Sequence, residues 1–214
     1  MEFNRLLSSA ISAYGEPELE SNKIETQNLE KQKRINNKNY YLINSLDEID
    51  KWIEEAEEVG EVAVDTETTS LDPHQADLVG ISLCSKIGKA CYIPVGHKSP
   101  KCLKKDAVIK KLKKILEDPS IKKIGQNIKF DFIVFYKCGI TLSSMEDTML
   151  MSYVLDAGKN RHNMDTLSEI HLGHKTISFK EMVGTGKKEI NFSEVEIDKA
   201  KDYAAEAVSY THLT

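Results

Sequence analysis

The pattern of apolar and polar positions changes once along the chain, near residue 40. Residues 16–39 (EPELESNKIETQNLEKQKRINNKN) are charged and polar with almost no large apolar side chains, a composition that cannot offset the entropy of its own ordering. It reads as a linker. Before it, Phe3, Leu6, Leu7, Ile11 and Tyr14 recur at helical spacings and predict a short helix. From Tyr40 the texture is globular. YYLI (40–43) predicts a strand. SLDEIDKWIEEAEEVG predicts an amphipathic helix with Ser45 as N-cap and Glu48 three residues on, the arrangement of a capping box. In EVAVDTETTSLD, alternation around Val62 and Val64 predicts a strand that runs into Asp65 and Glu67. LVGISLCS and KACYIPVGH predict two more strands joined by a turn at Ile87 and Gly88, which makes a three-stranded meander.

The second half alternates and then turns helical. Asp106 is placed to cap DAVIKKLKKILED, with Ile109, Leu112, Ile115 and Leu116 on an inward face and Lys110, Lys111, Lys113 and Lys114 outside. That lysine face suits simple solvation or a nucleic-acid track. Ile121–Gly125 predicts a strand, and Asn127 and Asp131 fall at the start of the next helix. Four helical stretches follow: DTMLMSYVLDAG, HNMDTLSEIHLG, FKEMVG and SEVEIDKAKDYAAEAV. A meander, then alternating elements, then helices predicts an α/β fold, a mixed sheet flanked by helices.

Composition narrows this little. At 214 residues and 40% apolar the chain can bury one sizeable core, so one domain with an appendage is expected. The absence of an apolar run of about 18 residues, and of an apolar stretch after a basic N-terminal segment, predicts no membrane span, no secretory leader and a cytoplasmic location. The four cysteines (Cys84, Cys91, Cys102, Cys138) lack zinc-site or C-x-x-C spacing and read as reduced thiols. A net charge of −5 argues against a simple phosphate-neutralising surface. It does not argue against a site where carboxylates hold cations, because bound ions reverse the local sign.

That possibility is where the chemistry lies. Residues i and i+2 of a strand share a face about 6.6 Å apart, so Asp65 and Glu67 can converge on one hard cation. Asp131, taken alone, would only compensate a helix dipole. Read together and in order, DTETTSLD (65–72), GQNIKFD (125–131), RHNMDTLSE (161–169) and DYAAE (202–206) resemble the motifs of the proofreading 3′-5′ exonuclease domain of bacterial DNA polymerase I, in family A. LVGISL, YIPVGH, EDTMLMSYVLDA and HKTISF extend the likeness over about Tyr40 to Glu206.

The resemblance implies a ribonuclease-H-like exonuclease fold in its tyrosine-type (DEDDy) branch. It also implies two-metal hydrolysis with two Mg²⁺ ions (Mn²⁺ substituting) at the 3′ end of single-stranded DNA. It makes Asp65, Glu67 and Asp131 the metal ligands, with Tyr203 orienting the attacking water. Thr66, Leu71, Gln126, Asn127, Phe130 and Arg161 become candidate substrate contacts, although Leu71 also suits a core, Asn127 a helix cap and Arg161 plain solvation. His162 lies within a matched motif, and no role is implied for the other histidines.

One departure follows. Residue 207, on the same helical face as Tyr203, is where the family places its fourth acid, and here it is Ala207; a methyl group cannot bind a cation, which predicts a severe loss of rate. From residue 207 on, AVSYTHLT leaves the family pattern and looks like translated adapter sequence. The expected organisation is therefore 1–39 as an interdomain linker after a 5′ nuclease domain, 40–206 as the exonuclease domain, and 207–214 as a spurious tail ahead of a polymerase domain in the same full-length chain. Two alternatives stand beside this reading: a ribonuclease D-like RNA exonuclease using the same acids, and an inactive DNA-binding or spacer module.

Overall fold

The computed structural model describes residues 11–13 and 39–211. Two compact units divide at Arg34 and Ile35. Of the first, residues 11–13 form part of a helix, while Phe3, Leu6, Leu7, Tyr14 and nearly all of the expected linker lie outside the described residues.

The second unit holds a six-stranded mixed sheet in the order β1-β4-β3-β2-β5-β6. Its strands are β1 (Tyr40–Leu42), β2 (Glu61–Thr68), β3 (Leu78–Lys86), β4 (Lys89–Pro94), β5 (Lys122–Gly125) and β6 (Met145–Asp147). The expected meander is present, with β2, β3 and β4 antiparallel in sequence. β1 joins β4 in parallel, and β5 and β6 extend the other edge in parallel from β2. The helices are α1 (Leu46–Val59), α2 (Lys105–Glu117), α3 (Lys129–Lys137), α4 (Thr148–Asp156), α5 (Met164–Leu172), α6 (Phe179–Val183) and α7 (Ile197–Thr211).

Alternation along β2 divides the molecule into layers. Val62 and Val64 join Ile53 of α1, Leu112 and Leu116 of α2 and Phe135 of α3 in the main aliphatic core. Ala63, on the opposite face, meets Ala205 and Val208 of α7. α7 therefore lies across the reverse side of the sheet, where small residues keep it close to the strands. Gly80 of β3 shows how close this packing is: a Cβ there would come 2.0 Å from the Tyr92 hydroxyl, so only glycine fits.

The helix starts depart from expectation. Ser45 does precede α1, but its hydroxyl donates to Glu48 Oε1 (3.3 Å), and Glu48 Oε2 accepts the N–H of Asn44 rather than of Ser45 (3.1 Å). Ser45 is thus the N-cap, as expected, but the reciprocal box is not formed: its hydroxyl takes no backbone N–H. Lys104, not Asp106, occupies the N-cap of α2, leaving Asp106 in the first turn, where it still favours the helix dipole. The lysines of α2 are largely committed within the protein: Lys111 to Asp50 (2.5 Å), Lys114 to Glu57 (2.5 Å) and Lys113 to Glu117 (3.4 Å). β6 is an element that periodicity did not predict, since three residues are too few to show alternation.

Candidate active site

β2 carries Asp65 and Glu67 on the α7 side of the sheet, at the end where β2 leaves the aliphatic layer. Asp131 enters from the first turn of α3 and is buried. Its Oδ1 accepts both the backbone N–H of Thr66 (2.9 Å) and the Thr66 hydroxyl (2.5 Å), so the residue between the two β2 acids holds the third. Tyr203 faces them from α7, its ring packed about 6 Å from those of Phe179 (6.3 Å) and Phe192 (6.0 Å).

These four residues line one cleft of about 770 Å³, together with Thr66, Leu71, Gln126, Asn127 and Phe130. Leu71 is 87% exposed, which removes the core role and places it on the rim. Gln126 has both ends of its amide engaged, accepting from the Thr148 hydroxyl (2.5 Å) and donating to His162 O (2.7 Å). Asn127 is not a cap. It takes a left-handed backbone (φ 59°), Ile128 stands at the N-cap position of α3, and the Asn127 N–H donates to Asp147 Oδ1 (3.1 Å). Phe130 is half-buried against the main core while still reaching the cleft. Arg161 is exposed and does not line the cleft.

The electrostatics are those of acids gathered without a cation. No Lys or Arg is among the described residues lining the cleft. Burial raises the Asp65 carboxyl to about 6. Glu67 is pushed well above the usual carboxylate range by burial and then by Asp65 and Asp131, and Asp131 is raised by burial and then by Asp65, against the lowering effect of Thr66. Burial also raises the Tyr203 hydroxyl, with Glu67 and Asp65 adding to it, so it stays protonated and able to donate.

Carboxylate oxygens are the ligands a hard divalent cation prefers, and a cation here would relieve both burial and repulsion. Among the described residues, no three His, Cys, Asp or Glu side chains already form a metal cage. The donor set fits Mg²⁺ of the kind completed by water and substrate oxygens, rather than an ion enclosed by protein.

A smaller cavity of about 170 Å³ adjoins Asp65 and is lined by Asp165, Thr176, Tyr203, Glu206 and Ala207. The Ala207 methyl thus opens onto the space next to Asp65. Glu206 is not free to replace the missing acid: it is buried, accepts the N–H of Ile177 (2.6 Å) and pairs with His174 (2.9 Å). Asp165 accepts the Thr176 hydroxyl (2.6 Å).

A family model described as 3′-5′ exonuclease matches residues 40–214. The chain belongs to the 3′-5′ exonuclease family of family A DNA polymerases. It is 43% identical over 194 residues to DNA polymerase I of Rhizobium leguminosarum, covering 80% of this chain and 19% of that protein. To DNA polymerase I of Pseudomonas aeruginosa it is 44% identical over 168 residues, covering 76% and 18%. The chain therefore spans about a fifth of the length of these curated relatives. Among solved structures, Brucella melitensis NrnC with bound Mg²⁺ is 26% identical with a TM-score of 0.55, covering 72% of this chain and 69% of that one. Escherichia coli RNase D, at 21% identity and a TM-score of 0.62, covers 82% of this chain and 43% of its own, and shows the shared fold alone.

As a 3′-5′ exonuclease domain the chain has supporting residues that the motifs did not announce. Tyr92 donates its hydroxyl to His97 Nε2 (2.7 Å), because His97 Nδ1 must carry the proton given to the Val195 carbonyl (3.1 Å). Burial lowers the pKa of this histidine and keeps it neutral. Tilted ring contacts then run from His97 to Phe192 and on to Tyr203. Aromatic residues scattered from 92 to 192 gave no local signal of this convergence. Among the described residues no helix is long and apolar enough to cross a membrane.

Proposed function

We propose that this exonuclease domain removes nucleotides from the 3′ end of single-stranded DNA, as the proofreading part of a longer polymerase chain. Asp65, Glu67 and Asp131 would hold two divalent cations, Mg²⁺ with Mn²⁺ as substitute. When bound, such a pair supplies an activated water on one side of the scissile phosphate and charge stabilisation for the leaving 3′-oxygen on the other. By the family resemblance Asp65 would serve both ions, Glu67 the ion that activates water and Asp131 the other. The Tyr203 hydroxyl, held protonated, donates to and orients the water. Leu71 on the rim, Phe130 in the cleft and Asn127 beside it engage the terminal nucleotide by stacking and backbone contact, which tolerates any base. The observation that carries this reading is the meeting of three acids, Glu67 and Asp131 buried and Asp65 half-buried, with one tyrosine in a cleft without a basic residue among the described residues.

Ala207 leaves the water-side ion short of an anionic ligand, so the chain as written is a weak hydrolase. Time courses on a 5′-labelled DNA strand with Mg²⁺ test both statements. Ala207→Asp is expected to raise the rate about 100-fold or more, roughly 2.7 kcal/mol of barrier, with 5′-nucleoside monophosphates released one at a time. Full-rate hydrolysis by the unchanged chain overturns the assignment of position 207. No hydrolysis by either protein, with binding retained, favours an inactive binding module, and faster attack on RNA favours the ribonuclease D-like alternative.

A further inference from the structure

Asp131 must be held against β2, yet the helix that carries it begins with an unusual turn. After β5 ends at Gly125, Asn127 adopts φ 59° and the Ile128 side chain folds back onto Gly125, where a Cβ would come 2.7 Å from Ile128 Cγ1. Asparagine tolerates this left-handed backbone better than most side chains, but the turn is fixed only where its surroundings hold it. The restraint comes from the beginning of α4. Asp147 caps that helix in the ordinary way, its Oδ1 accepting the N–H groups of Met149 (2.9 Å) and Leu150 (3.3 Å). The same carboxylate also accepts the N–H of Asn127 on Oδ1 (3.1 Å) and the N–H of Ile128 on Oδ2 (3.1 Å). The next residue, Thr148, donates its hydroxyl to Gln126 Oε1 (2.5 Å). Three consecutive residues, 126, 127 and 128, are therefore tethered from two consecutive residues about 20 positions away.

We propose that Asp147 is a positioning residue for the exonuclease reaction: by holding the Asn127–Ile128 turn it fixes the start of α3 and so the placement of Asp131 against Thr66 of β2. The proposal rests on the function proposed above. A helix cap alone needs only the Met149 and Leu150 contacts; the two contacts to Asn127 and Ile128 add nothing to α4 and act wholly on α3. Loss of the carboxylate leaves both N–H groups without their acceptor at the base of α3, three residues from Asp131. Displacements of about 1 Å at a catalytic group can cost on the order of 100-fold in rate.

The test uses the full chain, as written and with Ala207→Asp, and compares Asp147→Ala, Asp147→Asn and Glu117→Ala. Glu117 is a carboxylate of the same tethering kind, accepting the Thr141 N–H (2.9 Å) away from the cleft. Asp147→Ala is expected to lower kcat about 10- to 100-fold, with KM for single-stranded DNA changed less than about 3-fold. Asp147→Asn keeps one acceptor oxygen and is expected to recover to within about 5-fold of its parent. Glu117→Ala should leave kcat unchanged at a comparable loss of melting temperature. In parallel, hydrogen–deuterium exchange should quicken at residues 126–131 and at the Thr66 amide for Asp147→Ala, and for Glu117→Ala it should not. Equal kcat in Asp147→Ala and its parent, or unchanged exchange at 126–131, overturns the tether. Hydrolysis absent from both parents overturns the exonuclease reading instead, a result the exchange data distinguish.

Discussion

The two faces of β2 are built on opposite plans. On one, Val62 and Val64 meet a dense aliphatic layer from α1, α2 and α3. On the other, Ala63 is followed by Asp65 and Glu67, and the opposing helix offers Ala205, Val208 and a tyrosine. The first face gains stability from large buried side chains. The second gives some of that up: it keeps α7 close with small residues and gathers like charges that oppose one another. One strand thus separates the face that holds the domain folded from the face that gathers the acids of the candidate site.

Removing volume from the first face has the largest expected effect. Leu112→Ala, at a fully buried position of α2, is expected to cost about 2–5 kcal/mol, roughly 7–14 °C in melting temperature for a middle value. Calorimetry shows it, and a loss under 1 kcal/mol would mean that this face is not the source of stability. Adding volume to the second face comes next. Ala63→Leu should cost about 1–3 kcal/mol by overpacking and, because it pushes α7 outward, lower hydrolysis more than its stability loss explains; a fully active, equally stable variant would break the contrast.

The acids of the second face give a pH signature. Asp65 has a folded-state pKa of about 6, above its usual value near 4. The folded state therefore keeps its proton longer than the unfolded chain, and stability falls as pH rises between about 4 and 6, by at most about 1.4 kcal/mol per pH unit for this one group. Melting curves in EDTA should show the fall, Asp65→Asn should reduce it, and Mg²⁺ should offset it above pH 6. A slope that Asp65→Asn leaves intact would assign the effect elsewhere. The smallest effect is expected on the lysine side of α2: Lys114→Ala should change stability by under about 0.5 kcal/mol and leave the salt dependence of DNA binding unaltered. A shallower salt slope would restore the nucleic-acid track.

Much of this arrangement could be read from sequence because strands have a period of two. Asp65 and Glu67 had to share a face once Val62 and Val64 were assigned to the other, and four ordered motifs brought Asp131 and Tyr203 to the same cleft. What stayed hidden depends on partners remote in sequence. Nothing near Asp147 announces its contacts to Asn127 and Ile128, and nothing near Glu206 announces Ile177 or His174. Helix starts divide for a related reason. Ser45, Asp106 and Asn127 are all good capping residues by type, yet only Ser45 stands at an N-cap, because the position is decided by where the preceding strand or loop delivers the chain. Leu71 suits core or rim by type alone, and it is the loop after β2 that carries it outward.

α7 touches β1 through β5, five of the six strands, and it is the last helix in the described chain. During synthesis the sheet's acids are made well before the helix that closes over them. The nascent chain therefore carries Asp65, Glu67 and Asp131 before Tyr203, and the tyrosine meets them only when α7 docks, a contact between residues far apart in sequence. The cleft of acids therefore takes its shape from a long-range contact, whose loop-closure entropy must be met before the contact rewards it.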